Sequence, residues 1–142
     1  MRLFAHDRLV ISIEEVQGRK YIKEKWSGVL NASIFHKLIH HSLDLYRQHL
    51  PSITTHDSRL LLLADVTRIE IISPKDIEWL TEEINPIYEQ LGFTHQAVLV
   101  PKSQIAQHTV SEYEGISGSF ITKMFVNELD GVRWFLEGIK KP

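Results

Sequence analysis

The chain opens with two segments in which apolar and polar side chains alternate. Residues 9–16 are rich in β-branched side chains and end at Gln17-Gly18, and residues 21–26 alternate apolar side chains with Lys and Glu. Alternation with a period of two is typical of strands with one buried face, and a short turn containing Gly between them indicates a hairpin. The sequence therefore predicts an opening β-hairpin whose second strand is half-exposed.

A helical pattern follows the hairpin. Between residues 31 and 49, apolar side chains recur every three or four positions, which is typical of an amphipathic helix with one buried stripe. Asn31 or Ser33 can cap the first turn, because a side-chain oxygen there accepts a hydrogen bond from a free backbone N–H. The predicted stripe comprises Ile34, Phe35, Leu38, Ile39, Ser42 or Leu43, and Tyr46.

The next segment is apolar without a break. Residues 60–64 read Leu-Leu-Leu-Leu-Ala and lead into Asp65-Val66-Thr67. A strand that is apolar on both faces belongs in the middle of a sheet that is covered on both sides. This run is therefore the predicted central strand, and it is expected to end near Thr67.

A second helix is predicted from Ser73 onward. Ser73 suits the N-cap position, Pro74 suits the first helical position, and Asp76 completes a box-like arrangement with the cap. Pro86 lies inside the pattern and predicts a kink or break near residues 84–85, because proline cannot donate a backbone hydrogen bond. The predicted buried stripe comprises Ile77, Leu80, Ile84, Ile87 and Leu91, and the helix is expected to stop at Gly92.

The rest of the chain predicts a strand at 96–100, a weak helix at 103–114, a strand at 120–126 and a last helix capped by residues 127–130. Strands and helices thus alternate after the hairpin, which indicates right-handed crossovers between parallel strands. The sequence predicts a single α/β domain over residues 1–142, with a mixed, mainly parallel sheet and helices packed on it.

Composition narrows the classes of function. The chain has 142 residues, and its 16 Lys and Arg against 18 Asp and Glu leave no basic excess, so we expect no nucleic-acid partner. It has no cysteine, which excludes disulfides and thiolate metal sites. No apolar run is long enough for a membrane helix, and the opening residues turn polar too soon for a signal peptide, so we expect a cytoplasmic protein.

The order of elements and the local sequence texture resemble a known family. The likeness is carried by the hairpin, the helix from Asn31, the strands at 60–67 and 96–101, and above all the ending at 124–136, where a strand leads into an acidic cap and an aromatic-aliphatic helix. Together they resemble the SpoIIAA-like group of small bacterial proteins in the STAS superfamily, near the SEC14 fold. The resemblance implies a SpoIIAA-like sandwich and a signalling module without enzyme activity, which acts through protein contacts as a homodimer.

For anti-sigma-factor antagonists, the resemblance also implies a serine that a partner kinase phosphorylates at the start of the helix after the strand containing Asp65. Counting from Asp65 places Pro74 at the acceptor position and Ser73 one residue before it. A phosphate at a helix N-terminus meets unpaired N–H groups and can switch a docking surface. Ser73 is therefore a candidate phosphorylation site, although a helix cap alone is the favoured interpretation.

The end of the predicted central strand is the favoured place for a binding site, because open α/β sheets bind ligands beyond the carboxyl ends of their strands. Asp65, Thr67 and Glu70 lie there as candidate docking residues, although Asp65 and Thr67 could instead tie down a turn. Trp26, Trp79 and Trp134 lie where the strand and helix patterns already require an apolar side chain, so packing in the core or at its rim is the default interpretation. If Trp79 and Tyr88 are exposed beside the kink, they would instead mark a docking patch.

The candidate catalytic groups each have a simpler interpretation. His36, His40 and Asp44 recur every four residues, as metal ligands on one helix face can, but the polar face of this helix needs such side chains in any case. Groups at 56–58 and 108–112 contain a histidine, a serine and an acid without a nucleophile-elbow pattern. The sequence predicts no catalytic residue, no bound metal and no cofactor.

Three functions remain open. The leading one is a regulatory or binding module that contacts another protein. The second is a carrier of a lipid or another small apolar ligand, which the SEC14 side of the resemblance suggests and for which the broken helix could act as a gate. The third is a metal-dependent enzyme that uses the face formed by His36, His40 and Asp44.

Overall fold

The fold is an α/β sandwich built around one sheet. A computed structural model describes residues 1–54, 59–101, 115–117 and 119–140. Within these ranges the sheet has seven strands in the order β1-β2-β3-β4-β5-β7-β6. The strands are β1 (Arg2–Ala5), β2 (Leu9–Val16), β3 (Arg19–Val29), β4 (Leu60–Ile71), β5 (Phe93–Leu99), β6 (Gly115–Ser117) and β7 (Phe120–Phe125). The helices are α1 (Ala32–Ile53), α2 (Pro74–Trp79), a π-helical turn (Leu80–Ile84), α3 (Asn85–Leu91) and α4 (Glu128–Lys140).

Strands β2 and β3 form the predicted hairpin and pair antiparallel along their length. Its two-residue turn holds Gln17 at φ 48° and Gly18 at φ 82°. Two successive left-handed residues are what the favoured hairpin turn requires, because the twist of that turn matches the twist of the strands. The short strand β1, which the pattern did not predict, adds antiparallel to β2 at the edge of the sheet.

Four parallel strands, β3, β4, β5 and β7, form the centre of the sheet, and antiparallel neighbours flank them on both sides. β4 is the fourth of the seven strands and residues 60–64 are all buried, which confirms the predicted central strand. The predicted end near Thr67 is wrong, because β4 continues to Ile71. The extra length pairs with β3, which itself continues to Val29.

Helix α1 begins where it was predicted. The Asn31 side chain accepts a hydrogen bond from the backbone N–H of Ile34 at 2.9 Å. The helix runs past residue 49 to Ile53, so Pro51 lies inside its last turn. Ile53 is fully buried in the main core, and burial of this side chain offsets the backbone hydrogen bond that Pro51 cannot make.

The second helical segment is broken where Pro86 predicts it. A π-helical turn replaces the α-helix at Leu80–Ile84, and α3 begins at Asn85 with Pro86 in its first turn. A π-helical turn holds more residues than an α-helical turn, so every later side chain is rotated around the axis. Tyr88 is therefore fully buried, whereas Ile87 is only partly buried. The predicted stripe is buried before the break, whereas after it Ile87 and Leu91 pack only partly against the core. Tyr88 takes the fully buried position there, so it is a core residue and not part of an exposed patch.

Helices cover both faces of the parallel strands. α1, α2 and α3 pack on one face, which carries Leu60 and Leu62, and α4 packs on the other, which carries Leu61 and Leu63. Side chains of β4 thus alternate between two cores, which is why this strand is apolar throughout. The last helix is confirmed, with the Asn127 side chain as its cap. The helix predicted at 103–114 lies outside the described residues.

Trp26 belongs to the main core, and Trp134, which lies in α4, is half-buried, as their patterns predict. Gly115–Ser117 form the short strand β6, antiparallel to β7. No helix in the described ranges is both long and apolar enough to cross a membrane.

Candidate functional site

Three side chains from two helices meet at one edge of the sheet. α1 follows β3 and α2 follows β4, and since these strands are parallel neighbours, both helices begin at the same edge. His36 lies near the start of α1, while Asp76 and Trp79 lie in α2. We call these three residues the α1–α2 cluster.

The α1–α2 cluster is held by one polar contact and one stacking contact. His36 Nε2 lies 3.0 Å from Asp76 Oδ1, in a pair whose side chains are 35% and 5% exposed respectively. The imidazole also stacks on the Trp79 indole, with 3.6 Å between ring centroids and 8° between ring planes. His40 meets the same indole edge-on at 5.8 Å. The indole is thus held in one orientation while remaining only half-buried.

Ser73 supports the same cluster from the start of α2. Its hydroxyl oxygen accepts a hydrogen bond from the backbone N–H of Asp76 at 3.1 Å, so Ser73 is the N-cap that the sequence predicts. The cap fixes the first turn of α2 and with it the buried carboxylate of Asp76. The serine on which the phosphorylation prediction rests therefore has a structural role when it is unmodified.

The predicted docking residues of β4 occupy different surroundings. The Asp65 carboxylate accepts hydrogen bonds from the Thr67 backbone N–H at 3.0 Å and from the Thr67 hydroxyl at 2.6 Å. These bonds hold a β-bulge, because the register with β3 gains one residue between Asp65 and Arg68. The structure thus shows the local tie predicted as the alternative, in a bulge rather than a terminal turn. Glu70 is exposed near the end of β4.

The predicted metal-binding face does not gather its three side chains. His36 contacts Asp76, His40 contacts Trp79, and Asp44 pairs with Arg47 at 3.2 Å. Within the described residues, no three His, Cys, Asp or Glu side chains come together in a way that could hold one metal ion. The hypothesis of a metal-dependent enzyme on this face therefore lacks a site there. The histidine groups at 56–58 and 108–112 lie outside the described residues.

A buried acid that the sequence analysis missed lies beneath α1. Glu24 is 2% exposed, and its carboxyl accepts hydrogen bonds from Trp26 Nε1 at 3.0 Å and from the Tyr46 hydroxyl. Burial raises the pKa of Glu24, and the two donors only partly oppose the shift. The sequence could have indicated this burial, because Glu24 lies two residues from both Ile22 and Trp26 in the same strand. Residues two apart share one face of a strand, and Ile22 and Trp26 both point into the core.

Titratable groups also pack under α4. Desolvation by burial lowers the pKa of His95 to about 4, with help from the charges of Arg59 and Lys123. On the same side of the sheet, the Tyr21 hydroxyl donates to Glu128 Oε2 at 2.9 Å and Lys23 Nζ lies 2.6 Å from Glu128 Oε1. Burial and this carboxylate raise the pKa of Tyr21. These contacts fasten α4 to β3 and form no arrangement that resembles a catalytic triad.

The fold is that of SpoIIAA-like proteins. An uncharacterised DUF3478-family protein with a SpoIIAA-like fold, from Shewanella loihica, is similar over 89% of this chain and 93% of its own, with a TM-score of 0.59 and 17% sequence identity. The anti-sigma factor antagonist SpoIIAA, in its unphosphorylated form, is similar over 92% of this chain and 99% of its own, with a TM-score of 0.54 and 10% identity. No protein-family model and no curated protein matches the sequence. At these identities the likeness shows the fold, and it confirms the predicted SpoIIAA-like sandwich.

Proposed function

We propose that this chain is a regulatory module without enzyme activity that binds another protein at the surface formed by α2, around Trp79. The observation that carries the proposal is Trp79, a large aromatic side chain that packs against the edge of the main core and stacks on His36 while part of its surface stays accessible. Such aromatic side chains contribute much of the binding energy of protein interfaces, because they bury a large area with few rotatable bonds. The likeness to the anti-sigma factor antagonist SpoIIAA supports a regulatory role.

The end of β4 extends the proposed docking surface. Glu70 is exposed three residues before Ser73 and would form part of the polar rim around Trp79. Asp65 and Thr67 would act indirectly, since their hydrogen bonds hold the bulge through which β4 continues toward α2. In this proposal Trp79 anchors the partner and the residues of β4 shape the surface beside it.

Ser73 is the place where modification would regulate docking. A phosphate on Ser73 would add negative charge beside Asp76, whose carboxylate is buried three residues later. Repulsion between the two would disturb the first turn of α2 and the His36 contact. Phosphorylation of Ser73 by a partner kinase would therefore weaken docking at Trp79.

Photo-crosslinking in the cells that naturally make the protein tests the proposal. A crosslinking amino acid replaces Lys75, which is exposed on α2, and Glu137 on α4 at the opposite face of the sheet serves as the matched control. We expect one protein to be captured from position 75, not from position 137, and to be lost in a folded Trp79→Ala variant. Capture of the same proteins from both positions would contradict a specific surface at α2.

A second candidate function is carriage of a lipid or another small apolar ligand. The π-helical turn between α2 and α3 favours it, because a break in the helix over the main core could let that segment open. Protein purified from its own cells would then release a stoichiometric lipid into organic solvent. An empty extract would contradict carriage and would leave the protein-binding proposal unaffected.

The resting form in this proposal is a homodimer. The family resemblance implies it, and exposed charged residues on α1 and α2, such as Lys37 and Glu78, make no ion pair within the described chain and would be available to a second copy. Sedimentation of the purified protein at several concentrations tests this part directly.

A further inference from the structure

A series of aromatic contacts joins the buried carboxyl of Glu24 to Trp79. Trp26 Nε1 donates a hydrogen bond to Glu24 Oε1 at 3.0 Å. The Trp26 ring meets Phe35 edge-on, with 5.2 Å between ring centroids, and Phe35 meets Trp79 in the same way at 6.0 Å. Each ring therefore packs directly on the next, from the main core to the α1–α2 cluster.

Helix α1 connects the same two places a second time. In its second half, the Tyr46 hydroxyl donates a hydrogen bond to Glu24 Oε2. Near its start, Phe35 and His36 both contact the Trp79 indole. One continuous helix carries all three residues, and a helix transmits a displacement along its length as a rigid element. A shift of α1 away from β3 at Tyr46 would therefore also change the support of Trp79.

The surroundings of Glu24 suit a neutral acid and not a carboxylate. Its cross-strand neighbours are Ile11 of β2 and Ala64 of β4, and no ion pair in the described ranges includes it. The titratable groups that face it are Tyr46 of α1 and, beyond that hydroxyl, Tyr88 of α3. Burial raises the pKa of both Glu24 and Tyr46. Loss of the Glu24 proton would thus place a negative charge in the core with no cation beside it, which is unfavourable.

We infer that Glu24 is a pH switch for the docking surface, and that loss of its proton shifts α1 away from β3 and releases Trp79 from Phe35 and His36. Water can stabilise the carboxylate only if the helix that covers it moves. The proton favours the closed arrangement, because it binds more tightly there than in the open one, where the charge is hydrated. The inference rests on the proposed docking at Trp79 and adds its regulation, since docking would weaken as the pH rises.

Nuclear magnetic resonance of the tryptophan indole N–H groups tests the inference, with spectra of ¹⁵N-labelled protein recorded from about pH 5 to about pH 8. The signal that Trp79→Phe removes belongs to Trp79. In the wild type we expect this signal to move with pH, and in Glu24→Gln we expect the part of the movement that depends on Glu24 to be lost. Tyr46→Phe removes a hydrogen bond that favours the charged carboxyl, so it should raise the midpoint of the movement by roughly one pH unit.

Glu15→Gln, on the exposed side of the hairpin, is the matched control and should leave the Trp79 signal as in the wild type. Coincident Trp79 curves for the wild type and a folded Glu24→Gln variant would overturn the switch, because any remaining pH dependence would then come from elsewhere, such as the two histidines that contact the indole. If Glu24→Gln does not fold, Tyr46→Phe decides, and an unchanged midpoint there would overturn the switch. The spectra need no partner, so this failure is distinct from failure of the docking proposal, which crosslinking from position 75 tests.

Discussion

Replacing Glu24 with glutamine should change how the stability of the protein depends on pH. Glu24 lies in the main core at 2% exposure, and both of its hydrogen-bond donors, Trp26 and Tyr46, are buried with it. Desolvation raises the pKa of this carboxyl above its ordinary value of 4.5. The folded protein therefore keeps a proton on Glu24 at pH values where the unfolded chain has lost it.

The sign of the effect follows from this difference in bound protons. The stability that Glu24 contributes is complete below the pKa of the unfolded chain and is lost as the pH rises through the higher pKa of the folded state. Between these two pKa values, the contribution of Glu24 to the free energy of unfolding falls by about 1.4 kcal/mol per pH unit, because the folded protein holds one proton that the unfolded chain has released.

The Glu24→Gln variant removes the titration and keeps the shape of the side chain. Its amide oxygen can accept from Trp26 Nε1, and the Tyr46 hydroxyl can rotate to accept from the amide nitrogen. Urea unfolding is followed by tryptophan fluorescence from about pH 5 to about pH 8. As the pH rises, the free energy of unfolding of the variant should increase relative to that of the wild type. The histidines make the same contribution to the pH dependence of the free energy of unfolding in both proteins, so this contribution cancels when the two curves are subtracted.

Glu15→Gln is the control, because Glu15 is exposed on the neighbouring strand and should leave the wild-type slope unchanged. Parallel stability curves for the wild type and Glu24→Gln would refute the reasoning. That result would mean that Glu24 binds its proton equally in both states and that the two donors offset the cost of burial.

Three further predictions follow from single contacts. The pKa of His95 is lowered from 6.5 to about 4, so stability should fall as the pH drops through this window, and His95→Phe should remove that loss in urea unfolding. Ser73→Ala should cost about 1 kcal/mol by removing the cap of α2, and Ser73→Asn, measured in the same way, should recover most of it. Gly28 has φ 83°, and a Cβ there would lie 2.8 Å from the movable guanidinium end of Arg8 and 3.2 Å from its Cδ, so Gly28→Ala should lower the melting temperature slightly more than Gly18→Ala, whose position has open space at a similar φ.

The elements predicted correctly are those that a local pattern specifies. The hairpin turn, the caps at Asn31 and Ser73, and the break before Pro86 each depend on residues within a few positions of one another. Backbone hydrogen bonding and side-chain periodicity act over that same range, so the sequence alone was sufficient. β4 was predicted to be central because residues 60–64 are all apolar, and a strand that is apolar on both faces is buried on both sides.

Predictions failed where a residue's environment depends on distant parts of the chain. The pattern could predict the break at Pro86 but not that a π-helical turn would rotate Tyr88 into the core. Nor could it predict that β4 continues past Thr67, because the partner that stabilises the extra length is β3. Both outcomes were decided by packing against elements elsewhere in the sequence.

The candidate site shows the same division. The sequence marked His36, Ser73 and Trp79 as notable residues, because their types and positions in each helix are visible locally. It could not show that His36 contacts Asp76 from 40 residues away, or that the same imidazole stacks on Trp79. Sequence by itself determined most of the helices and the inner strands, together with the polar face of α1, since these follow from local periodicity. Only the tertiary structure decided which faces meet, because the parallel pairing of β3 with β4 brings the starts of α1 and α2 to one edge.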